Sequence, residues 1–120
     1  MSKYWGYHLM LDCSGCNHEG IVSRDNIYNF TKELVKRIDM VAFGEPVIEH
    51  FATHDPSKGG YTICQMIETS LIDGHFVDKT GEAYISVHSC KEFNTEDVKD
   101  VVKEFFCPID MKENIIYRQA

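Results

Sequence analysis

Regular alternation of apolar and polar residues from Glu82 to Ser89 constrains the fold of this chain more than any other segment. The apolar set is Ala83, Ile85 and Val87, and the set between them is Tyr84, Ser86 and His88. Successive side chains of a strand point to opposite faces, so each set occupies one face. This pattern is typical of an antiparallel sheet that is covered on one side only. We therefore expect a sheet whose apolar face must be covered by other elements.

Two segments with helical periodicity can cover that face. The first runs from about Asp25 to Ile38, and Ser23 or Asp25 can cap its start. The second runs from about Thr95 to Phe106, where Pro108 ends it. Further strands are predicted over residues 4–12, 41–51, 61–69 and 114–118. The fold class is therefore α+β, a two-layer sandwich of a mostly antiparallel sheet with two helices packed on one face.

Composition argues against several kinds of partner. The chain has 19 acidic and 12 basic residues and a net charge of −7, which disfavours binding to nucleic acid or to anionic membranes. No apolar run approaches the roughly 20 residues that span a bilayer. The first residues also lack a signal-peptide core. We therefore expect one domain over residues 1–120 in the cytoplasm, with no nucleic-acid or membrane partner.

The five cysteines are an odd number, which disfavours a disulfide framework. Cys13 and Cys16 form a CxxC pair, which can be a redox pair or half of a zinc site. Zinc would need a second pair of ligands at similar spacing, whereas Cys64, Cys90 and Cys107 stand alone. A thioredoxin-like site needs a helix at the second cysteine, where this sequence indicates a turn. We interpret the pair as two reduced thiols that close a strand, and we expect no metal.

Ser70, His75 and Cys90 combine a hydroxyl, an imidazole and a thiol at spacings of five and fifteen residues. Together with Gly6-Tyr7-His8-Leu9 and the chain length, this spacing resembles the S-adenosylmethionine decarboxylase family of the short prokaryotic type. The resemblance covers most of the chain. It implies a proenzyme that cleaves itself between Thr69 and Ser70 into chains of residues 1–69 and 70–120.

The resemblance also implies a role for each residue. Ser70 becomes a pyruvoyl group, the cofactor, while His75 serves the processing reaction and Cys90 donates a proton during decarboxylation. Thr62 stands at the position of the family's assisting hydroxyl. A pyruvoyl ketone can form a Schiff base with a substrate amine and accept the electrons released when carbon dioxide leaves. The family also places its active sites between protomers, which implies a homodimer.

The spacing of Ser70 and His75 carries a structural condition. The two residues are an odd number apart, so a flat strand would point them to opposite faces. Asp73-Gly74 lies between them and is suited to a tight turn. We therefore expect a bend at Asp73-Gly74 that brings the two side chains together.

The function that the resemblance implies is that of a carboxy-lyase acting on S-adenosylmethionine, a small-molecule substrate, to supply the aminopropyl donor for spermidine biosynthesis. Phe51 could stack on the adenine ring, and Glu68 could contact the substrate. The chain departs from the family pattern in having Thr69-Ser70-Leu71 where Glu-Ser-His is common. It also has Phe76-Val77-Asp78-Lys79 where Thr-Trp-Pro-Glu usually follows the histidine. Two alternatives stay open: a pyruvoyl-dependent arginine or ornithine decarboxylase, and a non-processing relative that binds a ligand without turnover.

Overall fold

The computed structural model describes residues 3–120, which form a six-stranded sheet and three helices. The strands are β1 (Gly6–Ser14), β2 (Val47–Phe51), β3 (Gly60–Ile67), β4 (Ser70–Val77), β5 (Ala83–Ser89) and β6 (Asp110–Arg118). The helices are α1 (His18–Ile21), α2 (Arg24–Arg37) and α3 (Thr95–Phe106). The strand order in space is β2-β3-β4-β5-β1-β6, and every neighbouring pair is antiparallel. The predicted α+β sandwich is confirmed.

Burial follows the alternation that predicts it. Ala83, Ile85 and Val87 of β5 are at most 2% exposed, whereas Tyr84 between them is 43% exposed. The covered face packs on α2 and α3 around three buried phenylalanines, one from α2, one from β4 and one from α3. They are Phe30, Phe76 and Phe106, with ring centroids 4.8 to 6.3 Å apart. The opposite face leaves large apolar side chains exposed, among them Val47, Met66, Tyr84 and Ile116.

Capping residues fix the starts of both long helices. The Ser23 hydroxyl accepts a hydrogen bond from the Asn26 N–H and begins α2, as predicted. Asn94 accepts from two backbone N–H groups in the first turn of α3. That helix ends at Cys107, whose φ of 47° is left-handed, and Pro108 follows. The bounds of α3 match the prediction.

Several local predictions differ from the structure. Strand β2 begins at Val47 rather than near residue 41, and Ala42 makes only an isolated bridge to Ile67. The edge strand β6 begins four residues earlier than predicted, at Asp110. A short helix, α1, replaces the turn predicted after Cys16, because the Asn17 side chain accepts a hydrogen bond from the Gly20 N–H and caps it.

The bend predicted at Asp73-Gly74 is wrong. Strand β4 runs without interruption from Ser70 to Val77 between β3 and β5. Gly74 pairs with Ile63 on one side and with Ile85 on the other. A Cβ at Gly74 would lie 3.3 Å from the Tyr84 carbonyl oxygen and 3.4 Å from the Ile63 side chain. The glycine therefore permits close packing in a central strand rather than a turn, because both neighbouring strands hold the segment extended.

Candidate active site

The peptide bond predicted to break lies at the tip of a hairpin. Ile67 of β3 pairs with Ser70 of β4, so the connecting turn consists of Glu68 and Thr69. Ser70, half-buried, has a φ of 153°, a backbone conformation that L residues rarely adopt. Such conformations cost about 1–3 kcal/mol and persist where the surrounding structure enforces them. Backbone strain is therefore located at the residue whose hydroxyl is predicted to attack.

Cys90 contacts the same peptide bond through its backbone. Strand β5 pairs Ser89 with Ser70, and the next residue donates its N–H to the Thr69 carbonyl oxygen at 2.9 Å. The Thr69 hydroxyl is 2.7 Å from the hydroxyl of Ser89, which is fully buried. A donor aimed at a carbonyl that is about to be attacked stabilises the negative charge that develops on its oxygen. Thr69, Ser70 and Cys90 thus form one group, and the carbonyl of the peptide predicted to break already accepts a hydrogen bond.

His75 belongs to a second group, farther along β4. Five residues at about 3.3 Å each place it roughly 16 Å from Ser70 along the strand. Its Nδ1 is 2.7 Å from the Thr62 hydroxyl, across the β3–β4 pair. Its Nε2 is hydrogen-bonded to the Lys58 carbonyl oxygen. Because a carbonyl oxygen can only accept, Nε2 carries a proton, and when the ring is neutral Nδ1 accepts from Thr62. The neutral ring is the form that a general base needs.

The remaining two candidates are divided between these ends of the sheet. Glu68 lies in the hairpin turn beside the Ser70 group, where its N–H donates to the Val41 carbonyl oxygen. Phe51 ends β2 opposite Gly60, on the His75 side, and is 55% exposed. A single chain therefore brings Thr62 to His75 and Cys90 to Ser70, but it does not bring these two groups together.

A polar row lies on the uncovered face between the two groups. Ser86 donates to an Asp73 carboxylate oxygen at 3.4 Å, and its hydroxyl lies 3.0 Å from His8 Nε2. The His8 ring stacks on His88 at 5.0 Å between centroids. Burial, His8 and Arg118 lower the pKa of His88, which favours its neutral form. The alternation in β5 is enough to predict that His88 lies on this face. The row as a whole depends on how β1, β4 and β5 pair, so no local sequence pattern predicts it.

Other groups that sequence reasoning missed are backbone atoms and a loop contact. The Cys90 N–H and the Lys58 carbonyl have no residue-type signature, so no motif could have indicated them. His50 Nε2 is 2.6 Å from an Asp78 carboxylate oxygen and joins β2 to the segment that follows β4. The other carboxylate oxygen of Asp78 is buried without a hydrogen-bond partner among the described residues. This contact borders the 52–59 loop that supplies the carbonyl to His75.

The cavities beside these groups are small. The cavity that borders Thr69 holds about 60 Å³, and the one lined by His50 and Asp78 holds about 190 Å³. Pockets for small molecules usually hold about 300–1,000 Å³. Neither cavity of the single chain therefore has the volume of a typical ligand site. Within residues 3–120, no cluster of three or more His, Cys, Asp or Glu side chains is arranged to hold a metal ion.

Comparison with known proteins identifies the family. The model of the S-adenosylmethionine decarboxylase family matches residues 7–119. The S-adenosylmethionine decarboxylase proenzyme of Clostridium botulinum strain Langeland is 25% identical over 114 residues, which cover 92% of this chain and 93% of that protein. The same proenzyme from strain Loch Maree is 25% identical over 118 residues, covering 98% and 90%.

A solved structure supports the fold independently. The adenosylmethionine decarboxylase of Aquifex aeolicus superposes with a TM-score of 0.82 over 99% of this chain and 94% of that one, at 18% sequence identity. The two chains therefore share the sandwich architecture. No helix within residues 3–120 combines the length and the apolar content required to cross a membrane.

Proposed function

This chain belongs to the S-adenosylmethionine decarboxylase family, and on that premise we propose that it is a self-cleaving, pyruvoyl-dependent carboxy-lyase that decarboxylates S-adenosylmethionine for polyamine biosynthesis. The observation that carries the proposal is the state of one peptide bond. Its carbonyl, on Thr69, accepts the Cys90 N–H at 2.9 Å, while the φ of Ser70 is 153°. A polarised carbonyl next to a strained serine is the arrangement that an attack by the serine hydroxyl requires.

In the proposed cleavage, the Ser70 hydroxyl attacks the Thr69 carbonyl carbon and moves the acyl group from nitrogen to oxygen. The strained backbone at Ser70 favours this exchange, because breaking the amide releases the strain. A base then removes the α-proton of Ser70, and the ester bond to the Thr69 carboxylate breaks. Loss of ammonia by hydrolysis leaves a ketone at the start of the 70–120 chain. His75 is our candidate for the base, since its Nδ1 can accept a proton when the ring is neutral.

The surroundings of Ser70 fit the pyruvoyl group that this reaction leaves. Residue 70 starts a strand held by β3 and β5, so the new terminus stays beside Cys90 after cleavage. The ketone supplies an acceptor for the electrons released when the substrate loses carbon dioxide. The half-buried Cys90 follows Ser89, the register partner of Ser70, and its thiol can return a proton to the substrate carbon. We assign it as the acid.

A second copy of the chain completes the proposed site. His75 and Ser70 are roughly 16 Å apart along one strand, which is beyond the reach of direct proton transfer. The uncovered sheet face exposes Val47, Met66, Tyr84 and Ile116, and an apolar face of this kind is suited to packing against a partner. We therefore propose a homodimer in which Thr62 and His75 of one protomer serve Ser70 of the other.

Mass spectrometry of the purified protein tests the cleavage. The wild-type chain should yield fragments of residues 1–69 and 70–120, and Ser70→Ala should remain full length. Cys90→Ala keeps the backbone N–H on Thr69, so it should still cleave but lose decarboxylation. A wild-type chain that stays intact after prolonged incubation would favour the binding-only alternative. Normal turnover in Cys90→Ala would remove the thiol from the mechanism.

Co-expression tests whether the site is shared. A His75→Ala chain has an intact Ser70, and a Ser70→Ala chain has an intact His75, so a mixed dimer contains one complete site if the site is shared. The His75→Ala chain should then be cleaved. The matched control pairs it with a Ser70→Ala/His75→Ala double variant, which should give no rescue. Absence of cleavage in the first pair would place the base within the same chain or on another residue.

Substrate identity is tested on the cleaved protein. Release of carbon dioxide should be fastest from S-adenosylmethionine when arginine and ornithine are compared on the same preparation. Faster release from arginine or ornithine would identify that amino acid as the substrate, and the proposed reaction would still be a decarboxylation.

A further inference from the structure

Three cysteines lie together at the end of the sheet that is remote from Ser70. Cys13 lies in the core on β1, Cys16 follows after a left-handed Gly15, and Cys107 ends α3. Cys13 and Cys16 are buried, whereas Cys107 is exposed. The proposed reaction uses none of them, so their arrangement has to be explained separately.

Two backbone hydrogen bonds bracket Cys16 and Cys107. The Asn17 N–H donates to the Phe106 carbonyl oxygen at 2.7 Å, and the Ile109 N–H donates to the Ser14 carbonyl oxygen at 2.9 Å. The two segments thus run antiparallel with Cys16 opposite Cys107. Cys16 precedes Asn17 and Cys107 follows Phe106, so the hydrogen bond between these two neighbours holds the Cα atoms of the two cysteines near each other. Disulfides usually join Cα atoms about 4.4–6.8 Å apart. Cys16 also lies close enough to both other thiols for their charges to interact, because Cys107 contributes to raising the pKa of Cys16 and Cys16 contributes to raising the pKa of Cys13.

The other possible pairing, Cys13 with Cys16, is disfavoured by the position of Cys13. Its side chain lies on the covered face of β1 with Leu9 and Leu11 and is 2% exposed. Burial raises the pKa of Cys13 to about 12 and that of Cys16 to about 11, so of these two buried thiols Cys16 forms the thiolate more readily. Cys107, in contrast, borders an open cavity of about 310 Å³. A small disulfide can therefore reach Cys107 but not Cys13.

We propose that Cys16 and Cys107 are a reversible disulfide site that responds to low-molecular-weight disulfides such as oxidised glutathione. The Cys107 thiolate attacks one sulfur of the oxidant and releases one reduced thiol, which leaves a mixed disulfide on Cys107. The Cys16 thiol then attacks the Cys107 sulfur, loses its proton and releases the second reduced thiol. Two protein thiols and one small disulfide thus become one protein disulfide and two small thiols.

The position of this bond relative to the cleavage point gives it a consequence that rests on the proposed function. Cys16 belongs to residues 1–69 and Cys107 to residues 70–120. Oxidation after self-cleavage would therefore link the two chains covalently, whereas reduction would leave them joined by the sheet alone. The disulfide fixes the end of α3 to the β1–α1 connection in either case.

The test uses the full chain equilibrated with oxidised and reduced glutathione, followed by alkylation of free thiols under denaturing conditions. We expect the oxidised protein to lose two alkylation sites, and peptide mapping to show Cys16 joined to Cys107. Cys16→Ser and Cys107→Ser should each abolish the linked peptide, and Cys64→Ser, which changes an exposed cysteine elsewhere, should retain it as the matched control. Running the same test on Ser70→Ala separates the two proposals, because the disulfide should form there even though the chain stays intact.

Denaturing gels of the cleaved protein give a second measurement. Without reductant, the oxidised wild type should run as one species of the full mass, and with reductant it should separate into two fragments. A Cys13–Cys16 linkage, or retention of all five free thiols at every glutathione ratio in Ser70→Ala, would overturn the proposal. An intact wild-type chain that still forms the Cys16–Cys107 bond would overturn the proposed cleavage and leave the disulfide standing.

Discussion

Gly60 is the position where a single methyl group should damage this fold most clearly. It begins β3 and pairs with Phe51 on one side and Val77 on the other. A Cβ at Gly60 would lie 1.6 Å from the Phe76 carbonyl oxygen and 2.7 Å from the Phe76 carbonyl carbon. Its φ lies outside the left-handed range in which side chains are strained, so the cost of Gly60→Ala is steric alone.

The magnitude follows from the distance that the strands must move. An ordinary van der Waals contact begins at 3.4 Å, so β3 and β4 would have to separate by nearly 2 Å at this point. That separation breaks the pairing of Gly60 with Val77 and the hydrogen bond from the Asp78 N–H to the Gly59 carbonyl oxygen, now 2.9 Å. Each lost bond costs about 1 kcal/mol, and each buried group left unpaired costs about 1–3 kcal/mol. We expect Gly60→Ala to lower the free energy of unfolding by about 3–5 kcal/mol.

Gly44→Ala provides the matched control. Gly44 has a φ of 69°, and no atom lies within 4 Å of the point that a Cβ would occupy, so its cost is conformational alone, about 1 kcal/mol. Urea unfolding followed by circular dichroism, in a Ser70→Ala background that keeps one chain, gives both values. The Thr62–His75 hydrogen bond spans the same two strands, so cleavage of Gly60→Ala in the wild-type background should also be slow. Equal stability losses in the two variants would refute the close approach of Gly60 to Phe76.

Three further predictions address the thiols, a helix cap and pH. At pH 8 in the reduced protein, iodoacetamide should label Cys13 and Cys16 at least about 100-fold more slowly than the exposed cysteines. The reason is that burial raises the pKa of Cys13 to about 12 and that of Cys16 to about 11. Equal labelling rates in peptide maps would contradict this burial. Asn94→Ala should cost about 1 kcal/mol in urea unfolding through loss of the α3 cap, and Asn94→Asp should retain most of it. The lowered pKa of His88 means that the unfolded chain binds more protons just below pH 6.5, so stability should fall between pH 7.5 and 5.5. In His88→Gln this fall in the urea midpoint should be smaller, and an unchanged fall would assign the pH dependence to other groups.

The sequence predicted those features that depend on neighbours within one element. Helix α3 lies at its predicted bounds because five apolar residues at helical spacing precede Pro108. Strand β5 has its predicted faces because its alternation matches a sheet covered on one side. Ser23 caps α2 because a serine before a helical run offers its oxygen to the first turn. In each case the signal and the structure lie within a few residues of each other.

Features that depend on pairing between strands were harder to predict. Asp73-Gly74 has the composition of a turn, but β3 and β5 on either side hold it extended. The true turn, Glu68-Thr69, lacks the glycine, asparagine or aspartate that usually marks a two-residue hairpin. Without that signal, the strand predicted over residues 61–69 includes both residues of the turn, whereas β3 ends at Ile67.

The unrecognised turn explains the spacing of the candidate residues. Because Ile67 pairs with Ser70, a β3 residue a given number of positions before Ile67 pairs with the β4 residue the same number of positions after Ser70. Thr62 lies five residues before Ile67 and His75 lies five residues after Ser70, so a two-residue turn alone places them opposite each other. The same turn contains Thr69, whose carbonyl accepts the Cys90 N–H. Inserting one residue at the turn would therefore displace the Thr69 carbonyl, where cleavage is proposed, and separate Thr62 from His75 in a single step. The length of this turn, more than the identity of its residues, couples the two halves of the proposed site.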